Sequence, residues 1–270
     1  MTWFIIANGK TKNVKYSMSF PKFISALFGL LLFILAFAAH SLALTDEEAL
    51  SLQSALKDKT TGERIAFLAE RFVGTPYDPD PMGEYVTKAA IVADERVDCM
   101  YLTFRAVELA MSATPDEAVQ VALDKRFHSK GVIKNGRVIN YDNRFEYGED
   151  MICSGKWGDD ITHGIGRTAK IKGSRGLPFM DILKPKELLK GIEKLQSGDI
   201  IFFIKDPKKT RADEIVGHIG IIKKEQGLHD GIYMIHASGR KGKGGAVKKI
   251  LLRDYIGKMP FIGVKLTRFR

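Results

Sequence analysis

The stretch VDCMYLTFRAVELAMSA, residues 97–113, carries the local pattern on which the fold assignment rests. Asp98 belongs to the residue types that favour a helix N-cap, and it directly precedes Cys99. The apolar residues that follow recur at helical spacing: Leu102, Ala106, Leu109, Ala110 and Ala113. This pattern predicts a helix over residues 98–113 with Cys99 in its first turn.

The position of Cys99 at a helix start has a chemical consequence. First-turn amides and the helix dipole stabilise negative charge, so a thiol there is expected to lose its proton more easily. The same amides can hold an oxyanion that develops on an attacked carbonyl. Cys99 is therefore a candidate nucleophile, and the alternative is a small buried apolar residue, which is a common role for cysteine.

The last third of the chain has a different pattern, with short runs rich in β-branched and aromatic residues. These runs are DIIFFI, HIGIIK, IYMIHAS, AVKKILL and FIGVKLTRF, between residues 199 and 269. Residues 45–73 instead have apolar side chains at helical spacing, with a break at Lys59–Gly62. A further run, GVIKNGRVINY, predicts a hairpin around Asn135 and Gly136. Helices followed by a late antiparallel sheet are typical of the α+β class.

Two histidines lie in these β-rich runs, His218 in VGHIGII and His236 in YMIHASG. Strand alternation predicts that His218, Gly220 and Ile222 share one face of the sheet. The glycine leaves room beside His218 for a second group. If the two strands are neighbours, His236 can orient the imidazole of His218, and with Cys99 they form the relay of thiol acyl-transfer enzymes. Each histidine taken alone is equally compatible with a structural role.

The N-terminal segment has the composition of a leader sequence. Residues 1–22 contain lysines and no acidic side chain, and Phe23–Leu44 is almost wholly apolar up to the acidic sequence TDEE. A basic segment, an apolar segment and small residues before a cleavage site define a secretory signal peptide. The apolar run is also nearly long enough to span a bilayer. We predict that residues 1–44 are a signal peptide or an N-terminal membrane anchor and that residues 45–270 form a single domain.

Charge, cysteine content and histidine spacing restrict the possible partners and sites of the protein. The chain has 42 Lys and Arg against 32 Asp and Glu, a formal net charge of +10. Such a balance favours anionic partners, which include nucleic acid, phospholipid surfaces and bacterial cell walls. The second cysteine, Cys153, has no histidine motif beside it and is predicted to be a structural or free thiol. Three other histidines lack the closely spaced partners that zinc requires, so no metal site is predicted: His128, His163 and His229.

Five short motifs occur in a defined order along the chain. They are GTPY at 74–77, VDCMYLTF at 97–104, GDIIFF at 198–203, GHIGII at 217–222 and IHAS at 235–238. Together they resemble the NlpC-type papain-like cysteine peptidases of bacterial cell walls. The long segment between Cys99 and His218, which includes INYDNRFEYGED, resembles the branch described as N-acetylmuramoyl-L-alanine amidase-like. The resemblance covers roughly residues 61–270.

This resemblance implies a papain-like α+β fold in which the Cys99 helix packs on an antiparallel sheet that carries both histidines. Cys99 matches the nucleophile, His218 the general base and His236 the orienting residue. Tyr77 matches a tyrosine that lines the site near the oxyanion position. Three residues of the inserted segment are the predicted substrate-binding residues: Tyr141, Arg144 and Tyr147. The chain departs from the family at two positions after the cysteine, where Met100 and Tyr101 replace small or hydroxylated residues.

The implied function is cofactor-free, cysteine-dependent hydrolysis of an amide bond in peptidoglycan, with N-acetylmuramoyl-L-alanine as the leading bond. The alternatives are cleavage of the stem peptide after γ-D-glutamate, a non-catalytic cell-wall-binding module, and acyl transfer to or from lipid. The predicted partner is peptidoglycan or a muropeptide, not nucleic acid, with membrane contact only if the leader is retained. The expected protein is a monomer exported to the bacterial periplasm or cell envelope.

Overall fold

The computed structural model describes residues 43–210, 213–225, 227, 231–240 and 244–270. The leader predicted at residues 1–44 lies outside the described residues, apart from its last two positions. Residues Leu42–Arg270 make up one compact unit by themselves. Among the described ranges, no helix combines the length and the apolar character that crossing a membrane requires.

Helices dominate the first part of this unit. Two of them, α1 (Asp46–Ala55) and α2 (Thr61–Arg71), are separated around Lys59 and Thr60, as the sequence predicts, and each begins with a Thr–Glu capping box. The helices before the sheet are α1 (Asp46–Ala55), α2 (Thr61–Arg71), α3 (Glu84–Thr87), α4 (Cys99–Ala110), α5 (Pro115–Lys125) and α6 (Gly148–Ser154).

Helix α4 begins where the sequence predicts and ends earlier. The side chain of Asp98 accepts a hydrogen bond from the Tyr101 N–H at 2.6 Å, which makes Asp98 the N-cap. The helix ends at Ala110, three residues before the predicted end. The chain must reverse into α5, whose N-cap is Thr114 and whose first residue is Pro115. A residue that precedes proline is held in extended conformation, so the two helices cannot merge.

The C-terminal part forms an eight-stranded sheet in the order β4-β5-β10-β6-β7-β8-β9, with β3 also paired to β10 and every pairing antiparallel. Its five predicted runs are confirmed as strands, whereas β4 and β5 lie in a segment without a clear pattern. The strands are β3 (Asp159–Asp160), β4 (Thr168–Lys172), β5 (Phe179–Leu183), β6 (Ile200–Ile204), β7 (Val216–Lys224), β8 (Ile232–Arg240), β9 (Gly244–Leu251) and β10 (Gly263–Arg268). Three further helices border this sheet: α7 (Thr162–Ile165), α8 (Pro185–Gly191) and α9 (Leu252–Ile256).

The two faces of the sheet pack into separate cores, and this separation positions the histidines. Ile219 and Ile221 lie in the core that helices α2 and α4 cover. Ile222 and Met234 lie in the second core, together with α9. His218 lies on the second face with Ile222, as the sequence predicts, because its ring packs on Phe203 of the second core at 5.9 Å between centroids. The fold is α+β, with N-terminal helices packed on a C-terminal antiparallel sheet.

The predicted hairpin is also present, apart from the main sheet. Strands β1 (Ile133–Lys134) and β2 (Arg137–Val138) pair antiparallel across a two-residue turn. Asn135 and Gly136 have φ angles of 53° and 73°, the left-handed pair that a tight hairpin turn of this type requires. The turn sequence therefore accounts for the register of the hairpin.

Candidate active site

The centre of the site is a direct contact between two imidazoles. Strands β7 and β8 are antiparallel neighbours, and Nε2 of His218 lies 2.6 Å from Nδ1 of His236. The rings meet edge to face, with their centroids 4.9 Å apart. When His218 donates from Nε2 to His236, its Nδ1 keeps a free lone pair. That nitrogen can accept a proton from a thiol.

Both histidines are held in the neutral state. Burial and then the neighbouring His236 lower the pKa of His218 to about 3. Burial and then the ammonium of Lys248 lower the pKa of His236 to about 4. At neutral pH both imidazoles are therefore uncharged, and His218 has a lone pair that can accept a proton during a reaction.

Cys99 reaches this region from the N-terminus of α4. The backbone N–H groups of Ile219, Cys99 and Met100 lie against its sulfur and favour the thiolate. Burial, followed by the carboxylate of Asp98, opposes them and raises the pKa of the thiol to about 12. The sequence-based expectation of a lowered thiol pKa is therefore wrong, because desolvation outweighs the helix terminus. In the resting protein Cys99 is a neutral thiol.

Tyr77 lies beside the nucleophile. Its backbone bridges Val97, two residues before Cys99, and its N–H donates to the Gly245 carbonyl. The ring lies over Gly239, where an added Cβ would approach the tyrosine Cγ to 2.3 Å. Burial, followed by the neighbouring thiol of Cys99, raises the pKa of Tyr77 to about 12. The geometry is compatible with the oxyanion-lining role that the resemblance implies, and that role stays a prediction.

Tyr255, which the sequence analysis missed, packs against both histidines. Its ring centroid, on helix α9, lies 5.3 Å from that of His236 and 6.3 Å from that of His218. Burial and then Cys99 raise the pKa of Tyr255 to about 12, so Tyr255 packs on both imidazoles and lies within electrostatic range of the thiol. No local pattern marks this residue, because these neighbours are distant in sequence.

We expect Tyr255 to act by holding the two imidazoles in place. Replacement Tyr255→Ala should lower kcat/KM by about 10- to 100-fold, because misplaced catalytic groups lose reactivity steeply. Tyr255→Phe keeps the ring and should stay within about threefold of the parent. Steady-state kinetics with a muropeptide, beside thermal unfolding, measures both. Equal losses in the two variants would contradict a role for the ring and point to the hydroxyl.

The three predicted substrate-binding residues differ in their surroundings. Tyr141 is only 8% exposed, and its hydroxyl donates to the Ala90 carbonyl at 2.5 Å. The Arg144 guanidinium donates to the Tyr141 carbonyl at 2.9 Å and pairs with Glu146. Tyr141 therefore belongs to the core and Arg144 is engaged within its own segment. Their part in substrate binding stays a prediction, and for Tyr141 it would have to be indirect.

Tyr147 lies next to the strand that carries His218. The following residue, Gly148, packs so closely on Val216 that an added Cβ would lie 2.3 Å from the valine Cγ1. Val216 precedes His218 by two positions. The Arg175 guanidinium stacks on the Tyr147 ring at 3.8 Å from its centroid. Arg175 is thus a second residue that the sequence analysis missed, and the pair offers a cation and an aromatic ring near the histidine strand.

Tyr101, which replaces a small or hydroxylated residue of the family that the chain resembles, has a structural role. Its hydroxyl accepts a hydrogen bond from the Ala93 N–H at 2.6 Å and donates to Asp94 at 2.8 Å. Asp94 in turn forms a buried ion pair with Arg105. Tyr101 therefore fixes the loop that leads into Asp98 and Cys99.

The charge of Asp98 can be tested separately from its capping role. Asp98→Asn keeps an N-cap and removes the carboxylate that raises the pKa of Cys99, so that pKa should fall. In a Cys153→Ala background, alkylation of Cys99 by iodoacetamide at pH 8 should accelerate by about 3- to 10-fold. Asp98→Ala should accelerate it as well but cost about 1 kcal/mol of stability through the lost cap. An unchanged rate in both variants would show that Asp98 does not control the thiol.

The buried histidines also make stability depend on pH. Between about pH 4 and 6.5 the unfolded chain protonates His218 and His236, while the folded protein keeps them neutral. Acid therefore favours unfolding, and each histidine should lower the free energy of unfolding by up to about 1.4 kcal/mol per pH unit. Urea unfolding at pH 7.5, 6 and 5 measures the slope. The double variant His218→Gln/His236→Gln should have a shallower slope, and an equal slope would contradict the assignment.

Comparisons with known proteins reveal similarity in structure only. No protein-family model matches the chain, and no curated protein matches its sequence. A Legionella pneumophila protein of the DUF1460 family superposes with a TM-score of 0.62 at 17% identity, over 82% of this chain and 93% of that one. An N-acetylmuramoyl-L-alanine amidase from Bacteroides uniformis superposes with a TM-score of 0.58 at 17% identity, over 78% and 99%. A Bacteroides fragilis protein provisionally named as a xylanase gives 0.55 at 18% identity, over 76% and 100%.

Proposed function

We propose that this protein is a cysteine-dependent amidase of peptidoglycan that hydrolyses the bond between N-acetylmuramic acid and L-alanine. The observation that carries the proposal is the 2.6 Å contact between His218 and His236, together with the backbone N–H of Ile219, the residue after His218, at the sulfur of the helix-start Cys99. A base with an orienting partner next to a thiol is the constellation for nucleophilic attack on a carbonyl. The structural likeness to an N-acetylmuramoyl-L-alanine amidase supports the choice of substrate.

The first half of the reaction starts from neutral groups. Nδ1 of His218 takes the thiol proton as the Cys99 sulfur adds to the lactyl carbonyl of muramic acid. The amide of Cys99 and the hydroxyl of Tyr77 donate to the resulting oxyanion. The imidazolium of His218 is stabilised by His236, whose Nδ1 accepts the hydrogen bond from Nε2. Because the resting thiol has a raised pKa, the proton moves during attack and not before it.

The second half regenerates the enzyme. His218 returns the proton to the nitrogen of alanine, the carbon–nitrogen bond breaks, and the stem peptide leaves with a free amine. Water then attacks the thioester carbonyl with His218 as base, which releases the muramic acid carboxylate and the Cys99 thiol. The cycle consumes one water and needs no metal or redox group. Arg175, which stacks on Tyr147 and pairs with Asp150 at 3.5 Å, can bind a stem-peptide carboxylate at the His218 strand if that carboxylate replaces Asp150.

The remaining assignments follow from this function and from the sequence. We propose export to the periplasm or cell envelope through the leader at residues 1–44, with the domain acting as a monomer on peptidoglycan. N-terminal sequencing of the native protein tests the leader: a start near Leu44 supports a signal peptide, and full-length protein in the membrane fraction supports an anchor.

A pair of substrates tests the bond. One is a defined muropeptide with its sugar, and the other is the same stem peptide without the sugar. An amidase should release the intact stem peptide from the first and leave the second unchanged, as mass spectrometry of the products measures. Cleavage of the free peptide with an intact sugar–alanine bond would replace the amidase by the γ-D-glutamyl endopeptidase. No product from either substrate would favour the non-catalytic binding module.

A further inference from the structure

The hairpin of β1 and β2 presents a preformed surface away from the catalytic residues. Its inner face is fixed, because Ile133 pairs with Val138, which is buried and donates its N–H to the Ala89 carbonyl at 2.9 Å. At its base the Gly131 N–H donates to the Leu123 carbonyl at 2.6 Å. The hairpin is therefore held against the domain, and its outer face is displayed in a defined orientation.

That outer face combines aliphatic and basic side chains. Val132 and Ile139 extend the ladder, since the Ile139 N–H donates to the Val132 carbonyl at 3.0 Å. Alternation puts them on the same face as Lys134 and Arg137, which pair across the strands next to the turn. Val132 is 47% exposed and Ile139 is 60% exposed. Exposed aliphatic residues that adjoin one another, unlike isolated ones, are the kind of apolar patch that marks an interaction surface.

The charged side chains of the hairpin segment have one sign. No acidic residue occurs between Asp124 and Asp142. Lys130, Lys134 and Arg137 are all exposed, and none has an ion-pair partner among the residues that the structure describes. Three uncompensated cations around an aliphatic pair are complementary to a surface that is anionic outside and apolar beneath.

We propose that this hairpin docks the domain on the surface of an anionic phospholipid bilayer. Val132 and Ile139 would enter the boundary between headgroups and acyl chains, while Lys134 and Arg137 meet the lipid phosphates. A glycan partner fits less well, because the outer face offers no aromatic ring for a sugar to stack on. A second copy fits less well, because two such hairpins would bring like charges together. This contact is separate from the leader, which is the segment for which the sequence predicts membrane association.

Vesicle sedimentation with residues 42–270, the compact unit of the structure, tests the proposal without the leader. The domain should bind vesicles with about one third phosphatidylglycerol and not vesicles of phosphatidylcholine alone. Lys134→Gln/Arg137→Gln should weaken binding by about 25-fold, at about fivefold for each cation. Val132→Ser/Ile139→Ser should weaken it by at least about tenfold. The matched controls at other exposed sites, Lys57→Gln/Lys59→Gln and Phe179→Ser, should bind like the parent.

A fluorescent reporter tests insertion directly. Trp157, which is buried, is the single tryptophan of residues 42–270. Ile139→Trp therefore adds one exposed tryptophan at the proposed contact. Its emission should shift to the blue with phosphatidylglycerol vesicles and stay unchanged with phosphatidylcholine vesicles. Phe179→Trp should give no shift with either.

Four results would overturn the proposal. The first is that the domain has no preference for anionic vesicles, and the second is that hairpin and control variants lose vesicle binding equally. The third is that the hairpin retains the domain on insoluble peptidoglycan while the domain does not bind vesicles. The fourth is that the domain forms a dimer in solution, which Val132→Ser/Ile139→Ser dissociates. Hydrolysis of a soluble muropeptide should be the same in the parent and in every hairpin variant. Failure of the bilayer proposal would therefore leave the amidase proposal standing, and the reverse also holds.

Discussion

Replacement of Cys99 by alanine should abolish hydrolysis of muropeptides, with a loss in kcat of at least about 10⁴-fold. In the proposed mechanism the Cys99 sulfur is the protein atom that adds to the substrate carbonyl and carries the acyl group, so its removal closes the acyl-enzyme route. Alanine favours the helix that begins at this position, so the variant should stay folded and bind substrate. Circular dichroism and binding of a labelled muropeptide establish that the loss is chemical.

The second cysteine provides the matched control. Cys153 is exposed on helix α6, and neither cysteine forms a disulfide. Cys153→Ala should keep activity within about twofold, because the side chain touches no group of the mechanism. Near-parental turnover by Cys99→Ala would make the mechanism wrong, and strong loss in Cys153→Ala would reveal a second essential thiol.

Replacement of His218 by alanine should lower kcat by about 10²- to 10⁴-fold, the range that general acid–base catalysis supplies. The thiol has a raised pKa, so without a base it stays protonated and attacks slowly. His236→Ala should have a smaller effect and His236→Asn a smaller one still, since an amide oxygen can accept the hydrogen bond from Nε2 of His218. Equal activity in His218→Ala and the parent would exclude His218 as the base.

The pH profile gives an independent test of the same histidine pair. Burial lowers the pKa of His218 to about 3, so the base stays unprotonated far below the ordinary histidine range. An exposed histidine base would make kcat/KM fall as the pH is lowered through about 6.5. We expect no such decrease between pH 8 and 5. A clear inflection near pH 6.5 would show that the catalytic base is more exposed than the structure indicates.

Short-range patterns in the sequence alone were sufficient to predict several local features of the fold. An N-cap aspartate with an apolar stripe set the start of the Cys99 helix, and Asn135–Gly136 set the hairpin turn. Alternation in VGHIGII correctly predicted that His218, which packs on Phe203 of the second core, and Ile219, in the first core, lie on opposite faces of the sheet. These features follow from side-chain and backbone preferences over a few residues, which do not depend on distant contacts.

Only the tertiary structure decided the remaining features. The ring of Tyr255 reaches His218 and His236 across the fold, and Tyr141 is buried in the core although its segment looks like a substrate loop. The neutral state of Cys99 likewise depends on how much protein surrounds the sulfur, not on its place in a helix. Burial and electrostatic interaction depend on many neighbours that are distant in sequence. The sequence was therefore sufficient to identify the candidate chemical groups, whereas their pKa values and partners depend on the folded chain.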